Sequence, residues 1–116
     1  MDLLITHEER DGWTVLHVHG EVDLTTVPRL RGVVSELLRN GSPNLIIDLD
    51  DVGHLDSAGL GVLLGAVRRA RAAQGDVRFV STRPLVQRLF AITGLDEIHP
   101  LAESVDDALT RGRVGG

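Results

Sequence analysis

Residues 54–61 read His-Leu-Asp-Ser-Ala-Gly-Leu-Gly, and they mark the point where a predicted strand gives way to a predicted helix. The strand is the apolar run at 45–49, and the helix is a series of apolar residues at helical spacing that continues to Gly75. Ser57 stands where the helix should begin, and serine favours helix starts. A buried strand followed by a helix is the repeating unit of an α/β fold.

The two glycines of this segment call for a physical reason. Each glycine inside a helix costs about 1 kcal/mol relative to alanine, yet Gly59 and Gly61 both follow the predicted helix start closely. We interpret both as sites where another backbone approaches. Ser57 has two interpretations: its hydroxyl caps the helix, or it accepts a phosphate that the positive helix end accommodates. A phosphate would add negative charge beside Asp56, and Asp23 is expected at the same edge.

The chain on either side of this segment divides into alternating strands and helices. Before it, the predicted elements are strands at 3–8 and 13–19, a helix from Thr25 or Thr26 to Asn40, the strand at 45–49 and a loop at 52–56. After it, they are the helix to Gly75, a strand at 77–80, a helix from Thr82 to Gly94, a short strand at 97–99 and a helix from Ser104. The Asp-Gly pair at 11–12 predicts an antiparallel hairpin. The order β-β-α-β-α-β-α-β-α predicts an α/β fold with a mixed, mostly parallel sheet covered by helices.

Length and charge limit what the protein can do. The 116 residues give one domain, expected to span 1–110, with a tail at 111–116 that should fray. The net charge of −5 disfavours nucleic acid and membrane surfaces as partners. We therefore interpret Arg68, Arg69 and Arg71 as the solvated face of a helix. No apolar run is long enough to cross a bilayer and no secretory signal is evident, which predicts a cytoplasmic protein.

The sequence contains neither cysteine nor lysine. The first absence excludes disulfides, thiolate catalysis and zinc-finger spacing. The second excludes a P-loop lysine, a Schiff-base lysine and the active-site lysine of receiver domains. Asp48, Asp50 and Asp51 therefore do not predict a phosphoaspartate site, and we interpret them as the solvated end of the strand at 45–49.

Two other groups of side chains are weak candidates for a catalytic site and for a metal site. His54, Asp56 and Ser57 are the residue types of a hydrolase triad, but they lie in one short loop without a Gly-x-Ser-x-Gly turn. His17 and His19 fall on one face of a strand and could supply two metal ligands. No third ligand is evident, so we predict no metal site.

The segment Asp-Ser-Ala-Gly-Leu-Gly at 56–61 resembles the corresponding motif of the STAS family of bacterial anti-sigma factor antagonists. Supporting matches occur in the expected order at 20–23, 86–90 and 93–95. The resemblance implies that Ser57 is phosphorylated by an anti-sigma factor that is itself a serine kinase. The unphosphorylated protein would bind that kinase and free a sigma factor, and a serine phosphatase would restore this form.

The same resemblance implies a surface that the kinase contacts. Its residues would be Asp23, Thr25, Asp56, Ser57, Ala58, Gly59 and Gly61. Ala58 stands where family members often carry serine or threonine, which leaves Ser57 as the acceptor in this loop. The kinase would bind ATP and magnesium. The chain itself is therefore predicted not to be an enzyme and to need no cofactor. Two alternatives to this phosphorylation-controlled antagonist remain. One is a constitutive STAS scaffold without phosphorylation, and the other is a nucleotide-binding enzyme.

Overall fold

The structure is a computed structural model, and it describes residues 3–111 of the chain. Its strands and helices are β1 (Leu3–Arg10), β2 (Trp13–Val22), α1 (Val27–Arg39), β3 (Asn44–Leu55), α2 (Ser57–Ala72), β4 (Asp76–Val80), α3 (Pro84–Thr93), α4 (Leu95–Ile98) and α5 (Val105–Thr110). The tail predicted at 111–116 lies outside the described residues except for Arg111, which follows α5 directly. No helix within the described part of the chain is long and apolar enough to span a bilayer.

The four strands form one sheet in the order β1-β2-β3-β4. β1 and β2 are antiparallel, while β3 pairs in parallel with both β2 and β4. The turn between β1 and β2 contains Asp11 and Gly12 with φ angles of 53° and 85°, as a two-residue hairpin turn requires. The predicted α/β class, the hairpin and the mixed, mostly parallel sheet are therefore confirmed.

The two faces of the sheet are covered differently. Successive side chains of a strand point to opposite faces, so Leu16 and Ile47 pack in the large core formed with α1, α2 and α3. Val15 and Ile46 point the other way and pack with Ala108 of α5 in a smaller cluster. The small helix covers only part of its face, and side chains of β1, β2 and β3 that are mostly polar occupy the rest.

β3 is longer than the sequence predicts. We expected a strand at 45–49 and a loop at 52–56, whereas pairing with β2 continues as far as Leu55. Val52 and Leu55 are buried and hold the second half of the strand on the core. Two irregularities in the β2–β3 register interrupt the simple alternation of apolar and polar residues there. The carboxylates that suggested a strand end therefore lie in the middle of the strand.

The prediction of a short strand at 97–99 is wrong, because α4 occupies residues 95–98. Gly94, with a φ of 75°, ends α3 and turns the chain directly into α4, so that Leu95 remains buried in the main core. Beyond α4 a single parallel bridge joins Val80 to Ala102. The last helix begins as predicted, since the Ser104 hydroxyl accepts the Asp107 N–H at 3.0 Å.

Candidate functional site

The ends of β2 and β3 place two predicted site residues side by side. Val22 and Leu55 are the last paired residues of these parallel strands. Asp23 and Asp56 follow them directly, and the Asp56 N–H donates to the Val22 carbonyl at 3.2 Å. The loop into α1 and the start of α2 therefore form one continuous surface at the carboxyl edge of the sheet, where α/β folds commonly carry their sites.

Asp56 is the residue that caps α2. Its backbone is extended, with φ −107° and ψ −174°, and its carboxylate accepts the Gly59 N–H at 3.0 Å. The interpretation of Ser57 as the capping residue is therefore wrong, because Ser57 is the first helical residue. Aspartate satisfies the helix end as well as serine does, and it leaves the serine hydroxyl without a capping role.

The Ser57 side chain is exposed, and its hydroxyl makes no hydrogen bond to any of residues 3–111. Thr25, on the neighbouring loop, is also exposed, but its Oγ1 donates to Asp23 Oδ1 at 2.7 Å. The two hydroxyls of this surface therefore differ. Ser57 is accessible and unengaged, whereas modification of Thr25 would break an existing bond.

The loop between β2 and α1 is organised by Asp23. Its Oδ1 atom accepts the backbone N–H groups of Thr25 and Thr26 at 2.9 and 3.2 Å. The hydrogen bond from the Thr25 hydroxyl, followed by the backbone bonds of Thr25 and Thr26, holds the pKa of Asp23 below its ordinary value. Asp23 is therefore ionised at neutral pH, and it gives this edge a fixed negative charge beside Asp56.

Leu24, at the tip of this loop, was missed by the sequence analysis. Its side chain is 74% exposed and lies between Asp23 and Thr25 in the chain. A single leucine among polar residues forms no periodic pattern, so the sequence carried no signal for it. It adds an apolar contact point to an otherwise polar surface.

The structure gives a reason for glycine at position 59 but not at position 61. A Cβ atom on Gly59 would stand 2.6 Å from Leu55 Cδ1, 2.7 Å from Val22 Cγ1 and 2.9 Å from the Val22 carbonyl oxygen. Gly59 is therefore required by the close approach of β2 within this chain. A Cβ on Gly61 would meet no atom within 4 Å, so our explanation by a nearby backbone is wrong for Gly61 within the described fold. Ala58, between the capping residue and these glycines, is half-buried against the main core.

The residues of the suggested hydrolase triad are not brought together. The Asp56 carboxylate is bonded to a backbone N–H of its own helix. Within residues 3–111, no hydrogen bond joins His54 to Asp56 or to Ser57. A triad needs the base to contact both the nucleophile and the orienting carboxylate, and this arrangement does not provide those contacts.

His17 and His19 are each paired with carboxylates. His17 lies between Glu8 Oε2 at 2.8 Å and Asp48 Oδ2 at 3.0 Å, and His19 Nδ1 lies 3.1 Å from Asp51 Oδ2. Among residues 3–111 no group of three or more histidine or acidic side chains has an arrangement suited to a metal ion. The pairs instead tie β1, β2 and β3 together on the face that α5 leaves open.

The stability contributed by His17 is expected to fall as the pH rises. Burial lowers the pKa of His17, but hydrogen bonds to Glu8 and Asp48 raise it by more, so it lies above the ordinary value of 6.5. A raised pKa stabilises the fold below the unfolded-state value, and this contribution is lost as the pH rises through the folded-state pKa. Unfolding free energies between about pH 6 and 8 should therefore depend less on pH in His17→Gln than in the wild type. An unchanged pH dependence would contradict this assignment.

The carboxylate of Asp50 joins β3 to the segment before α3. Its Oδ1 accepts the backbone N–H of Thr82 at 2.7 Å and the Thr82 hydroxyl at 2.9 Å. The backbone bond, and to a smaller extent the hydroxyl bond, keep the pKa of Asp50 below its ordinary value. Thr82 therefore does not open α3, whose capping residue is Arg83. Asp50 has a structural role in place of the solvated strand end we expected.

The site and the fold together define a small α/β domain with an exposed serine at a helix start. The sequence profile described as the STAS domain matches residues 5–108. The chain therefore belongs to the STAS domain family, as the motif at 56–61 indicated.

Comparison with individual proteins agrees with this assignment. The chain is 28% identical over 106 residues to the anti-sigma-B factor antagonist of Staphylococcus aureus, covering 91% of this chain and 98% of that protein. It is 34% identical to an anti-sigma factor antagonist from Mycobacterium paratuberculosis, whose crystal structure superposes with a TM-score of 0.86 over 94% of this chain and 92% of that one. The phosphorylated form of the Bacillus protein SpoIIAA has the same fold, with a TM-score of 0.73 at 23% identity over 95% of this chain and 100% of that one.

Proposed function

We propose that the protein is an anti-sigma factor antagonist that binds an anti-sigma serine kinase when Ser57 is unmodified and is released when Ser57 is phosphorylated. The observation that carries the proposal is the free, exposed hydroxyl of Ser57 at the start of α2. Binding of the kinase would free a sigma factor. A serine phosphatase would return the protein to its binding form.

The helix start suits a phosphorylated side chain. Aligned peptide dipoles give the N-terminus of a helix a partial positive charge, which favours an attached phosphate. Asp56 already caps α2 through its own carboxylate, so modification of Ser57 disturbs no existing bond. The fold should therefore remain intact, and the change is confined to the surface.

Phosphorylation would change the charge of a surface that is already negative. It adds about −1.5 to −2 charges at pH 7, beside the carboxylates of Asp23 and Asp56. Like charges about 4 Å apart repel by about 1 kcal/mol in water and about 4 kcal/mol at an effective dielectric of 20. A kinase that places a carboxylate against this edge would therefore be displaced after it has transferred the phosphate.

The relatives support both parts of the proposal. The Staphylococcus and Mycobacterium proteins are named as anti-sigma factor antagonists. Structures of SpoIIAA, which has the same fold, exist for its unphosphorylated and phosphorylated forms. ATP and magnesium would be bound by the kinase, so this chain needs neither.

The direct test is to incubate the protein with its anti-sigma kinase and ATP and to measure the intact mass. We expect one phosphate, located at Ser57 by fragmentation, and none on Ser57→Ala. Thr25→Ala removes the other exposed hydroxyl of this surface, and at completion of the reaction it should still carry one phosphate, at Ser57. Binding of the kinase without any phosphate at Ser57 would favour a constitutive scaffold and would contradict the proposal.

A further inference from the structure

A cavity of about 300 Å³ lies along the outer edge of β4, between the end of α2 and the last helix. It shares only the last turn of α2, at Arg71, with the helix that begins at Ser57. Phe79, Ala102 and Ala108 form part of its apolar lining, and Ile98, which is 66% exposed, stands at its side. The volume is at the lower end of the range of about 300–1,000 Å³ that is usual for ligand sites.

The charged residues of this cavity are mainly basic, although the protein as a whole is acidic. Arg71, Arg78 and Arg111 line it together with Asp76, which gives 3 − 1 = +2 formal charges. The whole chain carries −5. A positive concave site on an acidic protein attracts small anions locally.

The three arginines of the cavity differ in the contacts that their guanidinium groups already make within the protein. The Arg78 guanidinium donates to the Ala108 carbonyl and lies 4.2 Å from the centre of the Trp13 ring. Arg111 pairs with Asp107 at 3.0 Å. Arg71, by contrast, is exposed, and its guanidinium makes no hydrogen bond or ion pair within the described part of the chain. Arg71 is therefore the guanidinium available to a ligand.

Asp76, the acidic residue of the lining, is held by its own strand. Its Oδ1 accepts the backbone N–H of Val77 at 2.9 Å. Its backbone N–H is bonded to the Pro43 carbonyl at 3.1 Å. The carboxylate is thus engaged at the start of β4, and it does not form an ion pair with Arg71.

His99 completes the floor of the cavity. Its ring is buried and contacts Phe79 edge-on, with the ring centres 5.9 Å apart. Burial, and to a smaller extent the nearby charge of Arg71, lowers the pKa of His99 below its ordinary value. The lowered pKa favours the uncharged ring at neutral pH, so the formal charges of the cavity belong to its arginines and Asp76.

We propose that this cavity binds a small organic anion, with its carboxylate or phosphate group at Arg71 and its apolar body against the exposed side chains of Ile98 and Pro100. The cavity volume suits a ligand of about one ring with one anionic group. A guanidinium pairs well with either anion, because its N–H groups match two oxygen atoms at once. The site is separate from the proposed function, which does not depend on it.

The test is a titration of the isotope-labelled protein with phenyl phosphate, followed by amide chemical shifts. We expect saturable shifts at residues of the cavity such as Val77, Phe79 and His99, and none at Ser57. Arg71→Gln should weaken binding about tenfold, as expected for loss of a charge-assisted hydrogen bond. Arg68→Gln is the matched control on the same helix outside the cavity, and it should bind like the wild type.

Related compounds separate the contributions of the two ends of the ligand. Phenol and inorganic phosphate should each bind more weakly than phenyl phosphate, and benzoate identifies whether a carboxylate can replace the phosphate. The pKa of His99, followed by its ring proton shifts, should rise when the anion is bound. Absence of saturable shifts with both phenyl phosphate and benzoate, or equal affinity in Arg71→Gln, would overturn the proposal.

Discussion

Ser57→Asp is expected to weaken binding to the anti-sigma kinase by about tenfold, since it adds a negative charge to a surface that already carries Asp23 and Asp56, and this charge would repel a carboxylate of the partner. Aspartate at the first helical position also interacts favourably with the helix dipole, by about 0.3–1 kcal/mol. The variant should therefore fold at least as stably as the wild type. The weaker binding can then be attributed to charge at the surface.

Ser57→Asn is the control that separates charge from size. Asparagine has nearly the shape of aspartate without its charge, so it should retain most of the wild-type affinity measured by calorimetry. The difference between the two variants should decrease at high salt, because exposed charges are screened. Equal affinity of Ser57→Asp and the wild type would contradict the electrostatic part of the proposed function.

Gly59→Val is expected to lower the free energy of unfolding by about 2–3 kcal/mol, at the upper end of the usual cost of overpacking. A Cβ at this position would lie within 2.9 Å of the Val22 carbonyl oxygen as well as of two buried side chains. The backbone oxygen belongs to β2 and cannot turn away like a side chain. β2 and α2 must therefore separate at the point where Asp23 and Asp56 are held together.

Gly61→Val is the matched comparison, two residues further along the same helix. Position 61 has no atom within 4 Å of a Cβ, and valine and glycine differ by only a few tenths of a kcal/mol in helix propensity. The unfolding free energy should thus change by less than about 0.5 kcal/mol. If Gly61 lies in the surface that the kinase contacts, its replacement should weaken kinase binding while thermal melting stays the same. Equal destabilisation by both substitutions would contradict the distinction between them.

The elements that the sequence predicts well are those with local signals. The hairpin follows from Asp11 and Gly12, and the last helix follows from the Ser104 cap with Asp107. The second half of β3 could not be predicted, because its residues follow no simple alternation and its pairing partner is distant in the chain. α4 was mistaken for a strand because its four residues are too few to display a helical period.

The candidate site was predictable only in part. The position of Ser57 at a helix start follows from the sequence, but the capping role of Asp56 depends on backbone angles that residue types alone do not fix. The different environments of Gly59 and Gly61 depend on how β2 lies against α2. The cavity beside Arg71 is formed by residues from distant parts of the chain and has no local signal, although Arg71 itself is exposed on α2 as predicted.

The cap provided by Asp56 has a kinetic consequence. Because a neighbouring side chain secures the helix end, attachment and hydrolysis of an ester at Ser57 would require no local unfolding in either direction. If Ser57 is the acceptor, the protein would pass through repeated rounds of modification without exposing its interior to proteases. The lifetime of each state would then be set by the kinase and the phosphatase and not by slow rearrangement of the chain.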